Sequence, residues 1–564
     1  MPFSNRCRVR KAHLALFFSL LFLVFASRAQ ASPKLQMAPL NPAFLAYMEQ
    51  LEQRESRGAD ESRTGGLIPS PIDWARIGEA RVGESFWEKT RAADVLPASF
   101  DLVAAGRVTP VLDQGMWGTC WSFAATESVE SSLLSEGKGT YDLSELHLAY
   151  YAYVDESADK PAFTVTAKEN ENPIFDNGGF PFQVPALYAR GTGPVSEVDA
   201  PYPYDWPNDP SLWAAYRPSS APTGRVAFRL RDALRFTSPD DVRRAVMDIG
   251  GLVFLLAGDG KYRDDKNGNI YTHKPTAPNH AVMLVGWDDD YPKEVFVRSD
   301  DKGGNVMPSS DGAWKIQNSW GEKAGDKGYY WVSYEDGSIF SPQGTWGYRM
   351  DPADVYDGIY SHDPLGACNF VFDDSDYEID EPRVEMANIF TARRNEKIVS
   401  VNFVTLNSDI DYEIQVYKNL EGDSPDTGTP VWSAPQRGTA AAVGYHAINI
   451  ANPALISKGE RFAVSVTLIE NDKNLHIPIE VAIKGYSDKA TALPGESFIK
   501  VDADGWEDTA DDEDDAFNLC VKAYTVAADV PDTEGSSSSS GCASGVAGAA
   551  LLALVCVVVK RRRI

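Results

Sequence analysis

The sequence predicts an α+β domain followed by an all-β sandwich domain. Three observations carry that reading. Residues 121–134 and 238–247 repeat apolar side chains at helical spacing, while runs 253–256, 280–287 and 329–334 read as strands. Beyond residue 354 the pattern changes. Runs 398–406, 412–417, 462–468 and 477–483 are rich in Val, Ile and aromatics, with Gly, Pro and Asn between them, as in a sandwich. The chain has 564 residues, against roughly 100–200 per domain. Its 43% hydrophobic and 11% aromatic content is enough to fill two cores.

Taken in order, residues 1–31 read as an export signal. Arg6, Arg8, Arg10 and Lys11 give a basic start, residues 14–26 an apolar stretch, and Ala29-Gln30-Ala31 a small-residue cleavage site. The other reading is an uncleaved anchor, for which the stretch is short. Residues 32–95 are polar and mixed, with 54–66 loop-like. Pro69, Pro71, Ile72 and Trp74 predict a segment lying extended on another surface. This region is expected to be a propeptide or an arm that stays attached. Residues 96–345 form the α+β domain. Within it, Ser238-Pro239-Asp240 is a helix start with a capping serine and Pro at the first turn, and Asp264 to Asn269 a hairpin turn. Residues 354–527 form the β domain. Residues 528–542 are a Ser-rich linker, 543–559 an uncharged apolar run near the lower limit for a spanning helix, and 560–564 a basic end expected in the cytoplasm. The Ser-Gly-Cys, apolar and Arg sequence there resembles C-terminal sorting signals of exported bacterial proteins. An ordinary terminal membrane helix is the alternative, and both tether the chain to the surface.

The formal net charge is −28, which repels phosphate backbones and excludes nucleic acid as a natural partner. Of six cysteines, Cys7, Cys542 and Cys556 fall in the terminal segments. Cys368 and Cys520 are candidates for one disulfide, leaving Cys120 as a free thiol.

Three segments carry chemistry. Cys120 lies in Asp113-Gln114-Gly115-Met116-Trp117-Gly118-Thr119-Cys120-Trp121-Ser122-Phe123-Ala124, where a helix should begin. His280 lies in Asn279-His280-Ala281-Val282-Met283-Leu284-Val285-Gly286-Trp287. Asn318 lies in Gln317-Asn318-Ser319-Trp320-Gly321. In order and content these resemble the papain family of cysteine proteases. His280 follows Cys120 by 160 residues and Asn318 by 198, somewhat longer than usual for that family, with polar insertions near 155–176 and 288–311. Leu96-Pro97, Val108-Thr109-Pro110-Val111, Leu143-Ser144-Glu145 and Asn177-Gly178-Gly179-Phe180-Pro181 extend the resemblance over residues 96–340.

The resemblance implies a two-lobed papain-like fold, with a helical lobe and a β-barrel-like lobe. It implies Cys120 as nucleophile, His280 as base, Asn318 as the group that orients the imidazole, and Gln114 as oxyanion donor. The physics agrees. A helix N-terminus lowers a thiol's pKa, and an imidazolium stabilises the thiolate. Trp320 is expected to shield the His–Asn bond. Gly178 and Gly179 are expected to pair with an extended substrate, and Phe180, Pro181 and Ala281 to line an apolar pocket for the second residue before the cleaved bond.

Two departures stand out. A family cysteine is replaced by Trp117 and its usual partner by Asp176, so both halves of one disulfide are missing together. Asn279 stands where an Asp is frequent. His147, on a probable helix, is expected to be structural.

Residues 354–527 resemble the lectin-like domain behind some bacterial and archaeal papain-like proteases. That implies a surface glycan or protein as partner, with a stabilising spacer as the alternative. Residues 502–515 hold nine carboxylates. They supply Ca²⁺-type oxygen ligands without the spacing of a defined loop, so a solvated acidic loop is the preferred reading. No other metal and no cofactor is expected. The expectation is an exported, surface-anchored cysteine endopeptidase. Its rivals are an adhesin with an inert protease-like platform, and an enzyme that passes the acyl group to an amine instead of water.

Overall fold

The computed structural model describes residues 35–57, 66–83, 86–87, 95–153, 174–204, 224–299, 304–373, 383–470, 475–487, 489–501, 505–511 and 515–528. The expected export signal, nearly all of the Ser-rich linker, the apolar run and the basic end lie outside these residues, as do parts of the acidic run 502–515. Among the described residues no helix is long and apolar enough to cross a membrane.

The helix Cys120–Ser135 is buried at every position from Cys120 to Leu133. A helix without a solvated face belongs at the centre of a domain. Two of its buried serines are satisfied by carbonyls outside the helix: Ser128 Oγ donates to Gly251 O (2.6 Å) and Ser131 Oγ to Arg107 O (2.6 Å). Two short helices, Glu145–Tyr151 and Gln183–Ala189, pack around it. Ser144 caps the first, accepting from His147 N at 3.0 Å. The β lobe is built on the strand His280–Asp288, flanked by Leu252–Leu256 and Ala313–Gln317 and touched by Ser99–Asp101. Helix Pro239–Asp248 starts where the sequence predicts, with Ser238 Oγ accepting from Asp241 N at 3.1 Å.

The second region is a sandwich. One sheet holds Ile410–Lys418, Arg461–Ile469, Arg383–Thr391 and Ser497–Val501. The facing strands, Gly358–Tyr360, Val521–Ala527, Glu396–Thr405 and Gly444–Ile456, do not stop at a domain boundary. They continue through a pairing of Gly444–Ile456 with Phe228–Phe236 into the β lobe, giving one 13-stranded sheet. At the junction Gly444 has φ +148°, and a Cβ there would lie 1.8 Å from Ala233 O, so only glycine fits. The largest apolar cluster also crosses the boundary, joining Trp74, Phe182 and Trp346 to Tyr445. The described residues accordingly form one unit.

The expected Cys368–Cys520 bridge is not formed; both thiols are free and buried. Register explains it. Asn369 pairs with Ile479, and Ile479 with Leu519, so an intervening strand separates the two cysteines. Two strand spacings amount to about 10 Å, beyond the reach of a disulfide. Cys368 Sγ instead donates to Val481 O (3.3 Å) and accepts from Val481 N (3.2 Å).

The N-terminal segment touches both regions. Leu35–Met37 adds an edge strand to Asn369–Asp373. The helix Pro42–Arg57 follows, with Phe44 edge-on to Tyr486 at 5.6 Å. Ile72 and Trp74 are buried, as expected of a segment laid on another surface, and Trp74 packs edge-on to Phe182 at 5.0 Å.

Candidate active site

Cys120 is the first residue of its helix, after Thr119 at the cap. His280 is the first residue of the central strand. Register places Gln317 opposite Met283 on the adjacent strand, so Asn318, one residue past the strand end, reaches His280. His280 Nε2 and Asn318 Oδ1 are 2.9 Å apart. The same oxygen accepts the backbone N–H of Ser319 at 2.9 Å, which fixes it as an acceptor. Nε2 therefore carries the imidazole proton, and Nδ1 is left with its lone pair to take one.

Trp320 stacks on the His280 ring, centroids 4.7 Å apart and planes 15° from parallel. The Arg263 guanidinium lies over the indole at 4.3 Å. Arg263 is held by Asp265 (2.6 Å) and by Gly258 O (2.6 Å). Asn279, the departure beside the histidine, accepts from Gly258 N at 2.8 Å and pins that loop to the His280 strand. Gln114 is clamped at both ends of its amide. Oε1 accepts from Ser319 Oγ (2.6 Å), and Nε2 donates to Trp117 O (2.8 Å). The amide nitrogen has a second hydrogen free.

The missing disulfide has a non-covalent substitute in the same place. Trp117 packs edge-on to Phe175 at 5.2 Å, and Asp176 Oδ1 accepts from Gly118 N at 2.6 Å.

The backbone of Gly179 is already paired with the N-terminal segment, and Gly178 O accepts from Tyr153 OH at 2.7 Å. Gly179 N donates to Gly66 O (2.9 Å), and Ile68 N donates to Gly179 O (3.0 Å). The bridge between Leu67 and Gly179 is parallel. Gly66 passes so close to Gly118 that a Cβ would lie 2.1 Å from its backbone. Gly66 also brings its N–H to the Cys120 thiol, as do Ala281 and Trp121. Phe180 and Ala281 are buried with the segment in place; the Phe180 ring meets Tyr486 of the β region at 6.1 Å, and Pro181 O accepts from Tyr348 OH at 3.0 Å. His147 is buried and tilted against Tyr151, a structural residue as expected.

Burial sets the protonation states. It pushes the Cys120 thiol up to about 11, against the pull of the surrounding N–H groups. It pushes His280 down to about 4; the Asn318 hydrogen bond opposes this, and the Arg263 charge adds to it. In this closed form burial thus favours the neutral thiol and the neutral imidazole over the ion pair expected from sequence. Part of the cover comes from residues 66–68, where Gly66 meets the thiol and Leu67 N donates to Asn279 O beside the histidine (3.4 Å). Sequence reasoning missed that cover, together with Arg263 and Ser319. The signals were slight: a Gly65-Gly66 pair before Leu67-Ile68, a lone arginine in a hairpin, and a serine between Asn318 and Trp320.

Residues 96–339 match the family model for papain family cysteine protease, and residues 359–525 that for a lectin like domain. The chain carries a papain-family domain joined to a lectin-like domain. The papain-family domain is 29% identical over 249 residues to the oryzain gamma chain of Oryza sativa subsp. japonica, covering 43% of this chain and 56% of that one. It is 28% identical over 244 residues to pro-cathepsin H of Medicago truncatula, covering 42% and 57%. The match thus spans little more than half the length of these curated relatives. Both domains together superpose on the cysteine protease and lectin-like domains of Cwp84, a surface layer associated protein of Clostridium difficile. The TM-score is 0.68 at 24% identity, over 88% of this chain and 98% of that one. A structure of clostridial Cwp84 after propeptide cleavage aligns with TM-score 0.63 and 27% identity, over 76% and 99%. These likenesses extend the fold through the lectin-like domain.

Proposed function

We propose that this protein is an exported, surface-tethered cysteine endopeptidase, held latent by its own N-terminal segment. The observation that carries the reading is the His280–Asn318 hydrogen bond under Trp320, beside a thiol at a helix N-terminus. Once the cleft opens, Cys120 gives its proton to His280 Nδ1 and the sulfur attacks a peptide carbonyl carbon. The oxyanion is met by the Cys120 backbone N–H and the free Gln114 amide hydrogen, each such donor being worth about 10²–10³ in rate. The C–N bond breaks as the amine takes the proton from His280. A water molecule, deprotonated by His280, then splits the thioester and restores the thiol.

Residues 66–68 support latency because they occupy the backbone edge of Gly179. A substrate there would be preferred with an apolar residue two positions before the cleaved bond, near Phe180, Pro181 and Ala281. Export and tethering rest on the sequence of residues 1–31 and 543–564, and are consistent with the surface association of Cwp84. The lectin-like domain is read as the module that binds surface glycan.

The test is alkylation by a peptide-mimicking epoxide, located by mass spectrometry, before and after removal of residues 32–95. Labelling of Cys120 is expected only after removal, with loss in His280→Ala. A processed protein with an unlabelled Cys120 would overturn the protease reading and favour an adhesin on an inert platform.

A further inference from the structure

The lectin-like domain contains a cavity of about 410 Å³ at the end of its sandwich, within the usual range of ~300–1,000 Å³ for ligand pockets. Two arginines reach it by register. Thr391 pairs with Arg461 at the last rung of the Arg383–Thr391 ladder. Ala392 N still bonds Glu460 O (2.9 Å), so the alternation continues and Arg393 falls on the same side as Thr391.

Both guanidinium groups are positioned but not neutralised. Arg393 lies over the Tyr360 ring at 4.3 Å, and one of its nitrogens donates to Ile359 O. Tyr360 OH accepts the Arg393 backbone N–H at 2.7 Å. Among the described residues no carboxylate pairs with Arg393. Arg461 donates to Gly422 O at 3.1 Å, and its nearest acid, Asp423, is 3.6 Å away on a side chain that is 98% exposed. A pair that exposed does little to satisfy a charge. The acid on the cavity wall, Glu496, faces His362 at 3.4 Å. The mouth therefore offers the remaining N–H donors of two planar forks and the Thr391 hydroxyl. A fork of this kind matches carboxylate and phosphate oxygens in pairs.

We propose that this cavity is the ligand site of the lectin-like domain, and that it takes an anionic saccharide whose carboxylate or phosphate is gripped by Arg393 and Arg461. The inference rests on the reading that this domain binds glycan. It adds a chemical class and a place. With a net charge of −28 on the whole chain, such a ligand approaches against the global field, so binding depends on the local arginines and weakens as salt screens them.

The experiment titrates the full chain carrying Cys120→Ala with three polymers: polygalacturonate for carboxylate, poly(glycerol phosphate) for phosphate, and dextran as the neutral control. At least tenfold tighter binding to one charged polymer than to dextran is expected, and the preferred polymer names the group. An Arg393→Ala, Arg461→Ala double variant is expected to lose that tenfold, and the double lysine variant part of it, with melting temperatures unchanged. Equal binding by the double alanine variant would overturn the site. Binding to dextran but to neither anion would overturn the anionic class and leave glycan binding standing. Binding to none of the three would remove both.

Discussion

His280 sits in a column of four groups: Arg263 above Trp320, Trp320 above the imidazole, and Asn318 at its edge. The column makes Arg263 a positioning residue with an electrostatic effect. Its charge disfavours the imidazolium, so its removal must raise the His280 pKa. In processed enzyme the falling alkaline limb of kcat/KM reports loss of the imidazolium proton. Arg263→Gln is expected to move that limb to higher pH, and Arg263→Lys to leave it near its original place. A pH–rate profile checks both; a limb that stays fixed or moves down in the glutamine variant contradicts the argument. Cys120, His280, Asn318 and Gln114, the residues of the proposed mechanism, stand out in the sequence because each sits in a motif of distinct residue types. Arg263 does not, because its role depends on a hairpin folding back over a tryptophan more than fifty positions away in sequence.

The segment 66–68 is a strand partner of Gly179 and, on the proposed function, a lid. It takes up the Gly179 backbone and brings the Gly66 N–H to the thiol. Acid should weaken this hold. His280 titrates at about 4 with the cleft closed, below its ordinary value of about 6.5. A depressed histidine pKa stabilises the closed form above the ordinary value, and that contribution is lost as pH falls through the closed-form value. A peptide of residues 35–83 added to processed enzyme should inhibit it, with a Ki that rises between pH 6.5 and 4 by up to about tenfold per unit. A Ki constant over that range would mean that the segment does not bury His280 in solution. Sequence patterning foresaw that residues 69–74 lie on another surface, since Pro69, Pro71, Ile72 and Trp74 leave little else for them. It treated residue 66 as loop, because a glycine's value lies in what approaches it, here the Gly118 backbone.

At the scale of the molecule, the two domains share a sheet and a core. The sequence located the sandwich by its short Val-, Ile- and aromatic-rich runs; three of the four expected runs fall within two residues of an observed strand, while strands such as Arg383–Thr391, Gly444–Ile456 and Val521–Ala527 were not anticipated. It placed a boundary near residue 354, because composition changes there. The pairing that erases the boundary, Tyr445 with Ala233, joins residues more than two hundred apart, and no local pattern encodes it. Gly444→Ala tests how much the seam matters. The added methyl meets Ala233 O and the left-handed φ is strained, so a loss of about 3 kcal/mol or more is expected. Thermal denaturation should show a single lowered transition. Two separate transitions would mean that the domains hold together weakly.

On the proposed function, the glycan-holding half is welded to the cutting half, and the enzyme would work like a calliper. A hinged enzyme can sample cleavage points over a wide arc around its foothold. Here the sheet that runs from Gly358–Tyr360 to the His280 strand fixes the span between foothold and blade. Protein strands on a decorated surface would be cut at a set distance from the sugar that anchors the enzyme, and bonds of identical sequence elsewhere would be passed over.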